Sequence, residues 1–221
     1  MSATGYHPPS RQELSILHVS KQLIVVDKPD CLLTVPGRGV EKSDCLLTRV
    51  QEAFPDAMIV HRLDMATSGI VVMARGPEYQ RALSILFQER KVAKRYQALV
   101  DGRWTAAAEG EIALPMIADW PNRPKQKIDP VAGRPSLTRY RVVDVDAAKA
   151  VSRIDLFPVT GRSHQLRLHM ESAGHPILGD DLYGTEKSQT KAERLMLHAC
   201  FIEFADPATA KLIRVESCPP F

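Results

Sequence analysis

Short apolar runs rich in β-branched residues recur along most of the chain, whereas few stretches place apolar residues at helical spacing. Runs of this kind, bounded by proline, glycine or polar residues, are typical of β-strands with one or both faces buried. The first run is LIVVDKP at 23–29, and the others lie at 58–60, 70–74, 91–104, 111–117, 137–145, 150–159, 195–204 and 211–217. A chain with this pattern must fold around a sheet.

Three segments predict helices instead. Ser43 is placed to cap an amphipathic stretch that ends before Pro55. Pro77 suits the first turn of a second helix, and residues 161–174 predict a short third helix closed by Gly174. The combination predicts an α+β fold with a mixed, largely antiparallel sheet and flanking helices, although the order of the strands is not readable from the sequence.

Length and composition describe an ordinary globular protein. With 221 residues, of which 44% are hydrophobic, the chain can bury a core without disulfides or a structural metal. The cysteines form no CxxC pair, and neither they nor the histidines have the spacing of a metal site, so reduced structural thiols and no bound metal are expected. No segment resembles a signal peptide or approaches the roughly 20 apolar residues of a membrane span, so a cytoplasmic protein is expected.

The basic charge is concentrated in one segment. The formal net charge is +3, but residues 119–141 alone contribute +4 and the rest of the chain −1. The basic residues of this segment are Arg123, Lys125, Lys127, Arg134, Arg139 and Arg141. Charge alone does not distinguish a solvated surface loop from a surface that binds an anionic partner.

The string HRLDMATSG at 61–69 is a charged and polar segment between two apolar runs. Loops held by a rigid sheet are where functional residues concentrate. An aspartate beside an arginine in a loop, such as Asp64 beside Arg62, is nevertheless more often part of a salt bridge or turn than a catalyst. The residues by themselves leave both interpretations open.

Three ordered strings resemble the motifs of the RluA family of pseudouridine synthases. HRLDMATSG matches the family signature HRLDxxTSG, in which Asp64 takes the place of the catalytic aspartate. AKRYQALV at 93–100 places Tyr96 at the active-site tyrosine, and TGRSHQLRLHM at 160–170 places Leu166 and Arg167 in the later motif. The string GHPILGDDLYG at 174–184 is also similar to the family. The resemblance extends over residues 23–215.

The resemblance implies the synthase fold with a central RNA-binding cleft and an enzyme that isomerises uridine to pseudouridine. Asp64 would either attack C1′ of the ribose or remove the proton at C2′, and the sequence does not choose between these routes. Arg167, otherwise a surface arginine of a helix, would keep that carboxylate ionised, and Tyr96, otherwise a strand tyrosine, would stack on the uracil. No oxidation occurs, so no cofactor is expected.

The resemblance also implies how RNA is held. A uridine in a duplex hides C1′ and C5, so the nucleotide has to be flipped out of the stack. Leu166, otherwise a core leucine, would pack on the base, and Arg62 would fill the vacated space. The string DWPNRPKQK at 119–127 is similar to the dual-specificity members of the family, and its Trp120, Arg123, Lys125 and Lys127 would contact RNA. Trp120 fits a core position equally well.

The expected organisation is a single catalytic domain over residues 1–221, with a polar lead at 1–20 and no S4-like RNA-binding domain before it. The implied substrates are the tRNA anticodon stem-loop and 23S rRNA, and a monomer is expected. The alternatives are a synthase for a different rRNA uridine and an RNA-binding module without catalysis. A glycoside hydrolase would need a second carboxylate, and none stands out.

Overall fold

Strands make up most of the regular structure, as the apolar runs predict. The computed structural model describes residues 5–11 and 14–221, so residues 1–4 and 12–13 of the predicted polar lead lie outside it. The strands are, in chain order, β1 (Ser15–Val19), β2 (Leu23–Lys28), β3 (Ala57–Ile59), β4 (Ser68–Arg75), β5 (Ala93–Asp101), β6 (Glu109–Ala113), β7 (Met116–Ala118), β8 (Gln126–Ile128), β9 (Leu137–Asp146), β10 (Val151–Pro158), β11 (Leu197–Ala205) and β12 (Leu212–Glu216). The α-helices are α1 (Leu46–Ala53), α2 (Pro77–Gln88), α3 (Gln165–Ser172) and α4 (Glu186–Thr190).

The chain divides into two compact units. The first unit takes in the described residues up to 93 together with residues 199–219, and the second takes in residues 94–198 and 220–221. None of the described helices, of which α2 with 12 residues is the longest, has the length and apolar character needed to cross a membrane. The four cysteines are free thiols, and Cys45 and Cys200 among them are buried.

The sheet of the first unit has the strand order β1-β2-β4-β11, with β3 also pairing with β4 and β12 with β11. The pairs β1–β2, β2–β4, β3–β4 and β11–β12 are antiparallel. All four residues of the apolar run at 23–26 are buried, and Leu23 and Val25 share one core with residues of β4, α2, β11 and β12. β1 lies within the segment expected to be a polar lead, and three of its five side chains, among them the apolar Ile16 and Val19, are exposed.

Glycine is required where β4 begins. The φ angle of Gly69 is +113°, and a Cβ added to this residue would lie 2.4 Å from the backbone oxygen of Ala199. A side chain is therefore excluded both by the backbone conformation and by the close approach of the neighbouring strand. Gly69 is the last residue of the HRLDMATSG string, so this contact fixes the end of the segment that carries Asp64.

The helices begin where proline or a polar side chain dictates. α2 starts at Pro77, as expected. The prediction that Ser43 caps α1 is wrong, because the N-cap is Cys45, whose N–H donates a hydrogen bond to Oγ1 of Thr48 (3.0 Å). The hydroxyl of Ser43 instead donates to the carbonyl oxygen of Val40 (2.7 Å) and closes a short 3₁₀ helix.

The second unit contains an antiparallel sheet in the order β5-β10-β9-β6 and a separate hairpin formed by β7 and β8. The apolar run at 111–117 predicts one strand, but the chain forms two, β6 and β7, on either side of Leu114 and Pro115. Proline has no N–H for a sheet ladder, so the run breaks there. α3 ends at Ser172 and is followed by Gly174 with a φ of +83°, as its sequence predicts.

Candidate active site

The segment between β3 and β4 carries Asp64 and is anchored on both sides of that residue. Oγ1 of Thr34 donates a hydrogen bond to the carbonyl oxygen of Leu63 (2.8 Å) and accepts one from the N–H of the same residue (3.2 Å). Nζ of Lys28 donates to the carbonyl oxygen of Met65 (3.0 Å). The backbone on either side of Asp64 therefore has a fixed position, and the aspartate is partly exposed between these anchors.

Lys28 is a supporting residue that the sequence did not single out. Its side chain is 0% exposed, and its Nζ also donates to the carbonyl oxygens of Pro29 and Leu32, at 2.8 Å each. Burying an ammonium without partners costs several kcal/mol, and backbone oxygens offset that cost here. The DKP string at 27–29 predicts only the end of a strand, and the link from Lys28 to Met65 becomes visible in the folded chain.

His61 supports the beginning of the same segment. Its Nε2 accepts a hydrogen bond from the N–H of Val72 (2.9 Å), so this nitrogen carries no proton. The imidazole also stacks on the ring of Phe87, with centroids 4.5 Å apart. Arg62, the next residue, has an exposed side chain.

Tyr96 lies in β5 and pairs with Leu156 of β10. Polar side chains connect the strands beside it. Nε2 of Gln97 donates to Oδ1 of Asp155 (3.1 Å), and Nη2 of Arg141 donates to Oδ2 of the same carboxylate (2.8 Å). These bonds join β5, β10 and β9 next to the half-buried tyrosine and give it a rigid backing.

Arg167 lies in α3 and is buried, with 3% of its side chain exposed. Its Nε donates to Oδ2 of Asp180 (2.8 Å), and its Nη2 donates to Oδ1 of Asp180 (2.5 Å) and to Oδ1 of Asp181 (2.8 Å). The two parallel bonds to Asp180 fix the plane of the guanidinium. Arg167 is therefore not a surface residue of the helix.

Asp180 is a second supporting residue that the sequence did not identify. Its carboxylate is 0% exposed, and besides binding Arg167 its Oδ1 accepts hydrogen bonds from the N–H groups of Leu182 (2.9 Å) and Tyr183 (3.0 Å). One carboxylate thus orders both the arginine and the turn that follows. The GDDLYG string was its only signal, and that string does not reveal which residue the aspartate binds.

Buried polar side chains hold α3 against the sheet. Nε2 of Gln165 donates to Oγ1 of Thr138 (3.0 Å), and Oε1 of Gln165 accepts from Oγ1 of Thr160 (2.7 Å). Nδ1 of His169 lies 2.9 Å from the same hydroxyl of Thr138, and its Nε2 lies 3.1 Å from Oγ of Ser136. These contacts fix the orientation of α3, whose buried Leu166 and Arg167 are both predicted site residues.

Acid is expected to destabilise the protein through His169. Burial lowers the pKa of this imidazole below its ordinary value, so the folded chain holds it neutral while the unfolded chain takes up a proton below about pH 6.5. The contribution of His169 to the free energy of unfolding should therefore be fully present above that pH. Below it, the free energy of unfolding should fall as pH decreases, by up to about 1.4 kcal/mol per pH unit. Urea unfolding between pH 7.5 and pH 5, compared with His169→Gln, measures this; identical pH dependence in the two proteins would contradict it.

The β7–β8 hairpin presents an arginine stacked on a tryptophan. Trp120 is 66% exposed, and the guanidinium carbon of Arg123 lies 3.4 Å from the centroid of its ring. The exposure excludes a core position for Trp120. Arg123 and Lys127 are exposed and Lys125 is partly buried, so the four predicted RNA-binding residues lie in or beside the loop of one hairpin, which we call the basic hairpin (residues 116–128).

Part of the basic excess in residues 119–141 is compensated by neighbouring strands. Nε of Arg139 binds Glu111 (2.7 Å), and Nη2 of Arg141 binds Asp155 (2.8 Å). Neither acidic residue belongs to the basic segment. Both arginines therefore have an acidic partner on a neighbouring strand, and, among the described residues of the segment, the positive charge without such a partner is concentrated in the basic hairpin and Arg134.

The structure groups the predicted site residues by unit. Arg62 and Asp64 share one loop of the first unit, whereas Tyr96, Leu166, Arg167 and the basic hairpin belong to the second. The pairing of Asp64 with Arg167 therefore stays a prediction. Within residues 5–11 and 14–221, no group of three or more His, Cys, Asp or Glu side chains is arranged to hold a metal ion.

Two human RNA pseudouridylate synthase domain-containing proteins are among the solved structures with a similar fold. Human RNA pseudouridylate synthase domain containing 1 superposes with a TM-score of 0.80 at 29% identity, over 97% of this chain and 87% of that one. Human RNA pseudouridylate synthase domain containing 4, at 22% identity and a TM-score of 0.74 over 93% of this chain and 88% of that one, supports the fold alone. The predicted α+β synthase fold is thereby confirmed.

Sequence comparisons agree with the fold. The dual-specificity RNA pseudouridine synthase RluA of Escherichia coli (strain K12) is 47% identical over 208 residues, which cover 94% of this chain and 94% of that protein. The protein of the same name from Vibrio cholerae is 46% identical over 94% of this chain and 83% of its own length. The family model described as RNA pseudouridylate synthase matches residues 22–172. The chain belongs to the RNA pseudouridylate synthase family and is an isomerase that acts on uridine in RNA.

Proposed function

We propose that this synthase has two substrates, a uridine in the tRNA anticodon stem-loop and one in 23S rRNA. The observation that carries the proposal is the 47% identity, over 94% of the chain, to a protein named as a dual-specificity synthase. The proposal includes a monomer with a single catalytic domain that acts in the cytoplasm, where both RNAs are found. A synthase for a different rRNA uridine is the alternative.

In the proposed reaction Asp64 is the carboxylate that acts directly on the uridine. The N1–C1′ bond breaks, the uracil turns over, C5 bonds to C1′, the proton leaves C5, and N1 of the product carries a proton. A carboxylate serves this sequence either by attacking C1′ or by removing the C2′ proton to give a glycal. The hydrogen bonds to Leu63 and Met65 support this role, since they hold the backbone on both sides of the carboxylate.

Arg167 and Tyr96 are the proposed partners of Asp64. A carboxylate in a closed pocket needs a cation or hydrogen-bond donors to remain ionised. The bidentate contact with Asp180 supports this role for Arg167, because a guanidinium whose plane is already fixed needs no reorganisation to bind a carboxylate beyond those of Asp180 and Asp181. The rigid strands behind Tyr96 support its role as the surface on which the uracil stacks.

The proposed RNA contacts follow from the need to extract the uridine. Arg62 would occupy the space that the flipped nucleotide leaves, and Leu166 would pack on the base. The basic hairpin would bind backbone and bases, with the exposed ring of Trp120 under Arg123 as a stacking surface. Loops, where bases are already unstacked, are the RNA elements that fit such a mode of recognition.

Neutralising the basic hairpin should weaken RNA binding and its dependence on salt. In the triple variant Arg123→Gln, Lys125→Gln, Lys127→Gln, each lost phosphate contact should flatten the slope of log affinity against log salt by roughly 0.7 to 0.9. Filter binding from 50 to 300 mM KCl, on the order of the physiological range, measures the slope. The matched control, Lys149→Gln, Lys187→Gln, Lys211→Gln, removes three exposed lysines elsewhere. If log affinity depends on log salt with the same slope in the two triple variants, the basic hairpin is an ordinary solvated surface and does not bind RNA phosphates.

Pseudouridine mapping tests the substrate proposal directly. Total RNA from cells with and without the gene should differ at one uridine of the anticodon stem-loop and one of 23S rRNA, and the purified protein should restore both. Modification at another rRNA position alone would favour the alternative synthase. Release of free uracil would indicate a hydrolase, and bound but unchanged RNA would indicate a binding module.

A further inference from the structure

Tyr183 contacts both the basic hairpin and the surroundings of Arg167. The backbone N–H of Gln126, the first residue of β8, donates a hydrogen bond to Oη of Tyr183 (2.7 Å). The same oxygen lies 2.9 Å from Nδ1 of His164, the N-cap residue of α3. The ring of Tyr183 lies 5.4 Å from the guanidinium carbon of Arg167. One side chain therefore reaches three parts of the second unit that the proposed function uses.

The hydroxyl of Tyr183 acts at the base of the loop that carries Trp120 and Arg123. Residue 126 directly follows Lys125, whose carbonyl oxygen accepts a hydrogen bond from the N–H of Asp119 (3.0 Å) and so closes the loop. The N–H of Gln126 donates to Oη of Tyr183, which also contacts His164 at the N-terminus of α3, so the base of the loop is held against that helix. The hairpin itself has only a three-residue ladder on each side. Two short strands are marginally stable alone, so external contacts decide where their loop lies. Reciprocal hydrogen bonds between Met116 and Arg134 hold the open end of the hairpin, and the contact with Tyr183 holds the base of its loop.

The turn that carries Tyr183 is itself fixed by the carboxylate that holds Arg167. Oδ1 of Asp180 accepts hydrogen bonds from the N–H of Tyr183 (3.0 Å) and from Nη2 of Arg167 (2.5 Å). The tyrosine and the arginine therefore have a common buried anchor. Displacement of either one has to be accommodated at the same carboxylate.

We propose that Tyr183 is a positioning residue with two separable parts, in which the hydroxyl orients the basic hairpin for RNA binding and the ring holds the Arg167 guanidinium for the chemical step. The inference rests on the proposed roles of the hairpin and of Arg167. It goes beyond them because one side chain links RNA binding by the basic hairpin to the orientation of the Arg167 guanidinium.

The two parts predict different kinetic effects. Tyr183→Phe removes the hydroxyl and leaves the ring, so the dissociation constant for RNA should rise by about 5- to 30-fold, the range expected when one well-formed hydrogen bond is lost. The single-turnover rate at saturating RNA should stay within about 3-fold of wild type. Tyr183→Leu also removes the ring, and that rate should then fall by at least about 10-fold. A residue that only stabilised the fold would not divide its effects in this way.

A double-mutant cycle identifies the hairpin as the route of the hydroxyl effect. If the hydroxyl acts through the hairpin, Tyr183→Phe should weaken binding by less than about 2-fold in the background of the triple hairpin variant. Gln126→Pro removes the N–H that donates to the hydroxyl but keeps Tyr183, and should weaken binding without adding to Tyr183→Phe. If a Tyr183 variant fails to fold, Gln126→Pro still tests whether the hydroxyl acts through the hairpin. Tyr140→Phe, whose ring packs against Trp104, is the matched control and should bind and react as wild type does.

Two results would overturn the proposal: unchanged binding and rate in Tyr183→Phe, or an equal loss of binding with and without the hairpin charges. A wild-type protein that forms no pseudouridine in either RNA would instead refute the proposed function. The binding cycle would still decide whether the hydroxyl orients the hairpin, so the two failures are distinguishable.

Discussion

Replacement of Asp64 by asparagine is expected to abolish pseudouridine formation while RNA binding survives. The amide keeps the shape of the side chain but is a poor nucleophile and a poor base, so neither attack on C1′ nor removal of the C2′ proton can proceed. The single-turnover rate should fall by at least about 10²- to 10⁴-fold, the contribution typical of a positioned acid or base. The fold should persist, because Lys28 and Thr34 anchor this loop through the backbone of neighbouring residues.

A matched control comes from the same unit. Asp56→Asn removes a carboxylate that binds Nε of Arg75 (3.0 Å) at the surface, and it should leave both rate and binding close to wild type. Rate is measured by tritium release from C5-labelled RNA, and binding by filter retention of the same RNA. Activity of Asp64→Asn within about 2- to 3-fold of the control, on the order of the variation that surface substitutions produce, would exclude Asp64 as the catalytic carboxylate.

Replacement of Arg167 by methionine should reduce both stability and activity, for separate reasons. Asp180, with 0% exposure, would lose the partner that balances its charge, and breaking a buried pair from one side costs about 3–5 kcal/mol. Activity should fall as well if the guanidinium serves the chemical step. Urea unfolding measures the first effect, and the single-turnover rate at saturating RNA measures the second.

A second substitution separates the two effects. Asp180→Asn in the Arg167→Met background removes the buried charge but keeps an oxygen for the N–H groups of Leu182 and Tyr183. Stability should then recover by more than half, while the rate should stay low. Arg167→Lys should recover part of the rate, since an ammonium lacks the two-pronged geometry of the guanidinium. Recovery of rate together with stability in the double variant would make Arg167 a purely structural residue.

Local signals predicted those elements whose ends depend on one residue. Pro77 begins α2 because its missing N–H is not needed in a first helical turn, and Gly174 follows α3 because it accepts a positive φ. The cap of α1 differs from the predicted Ser43 because the N–H of Cys45 donates to the hydroxyl of Thr48, a contact that the position of Ser43 in the sequence does not reveal. β8 and α4 escaped prediction because their sequences, QKI and EKSQT, contain too few apolar residues to show a strand or helix pattern.

The sequence by itself determined the α+β class, the family and the motif residues, because apolar periodicity and ordered strings of rare composition are properties of the chain alone. Tertiary structure decided what each motif residue touches. Asp180 binds Arg167 across 13 residues of sequence, Lys28 reaches Met65 across 37, and Tyr183 reaches Gln126 across 57. A buried charge or hydroxyl is stable only with a specific partner, and the fold, not the local spacing, brings that partner within hydrogen-bond distance.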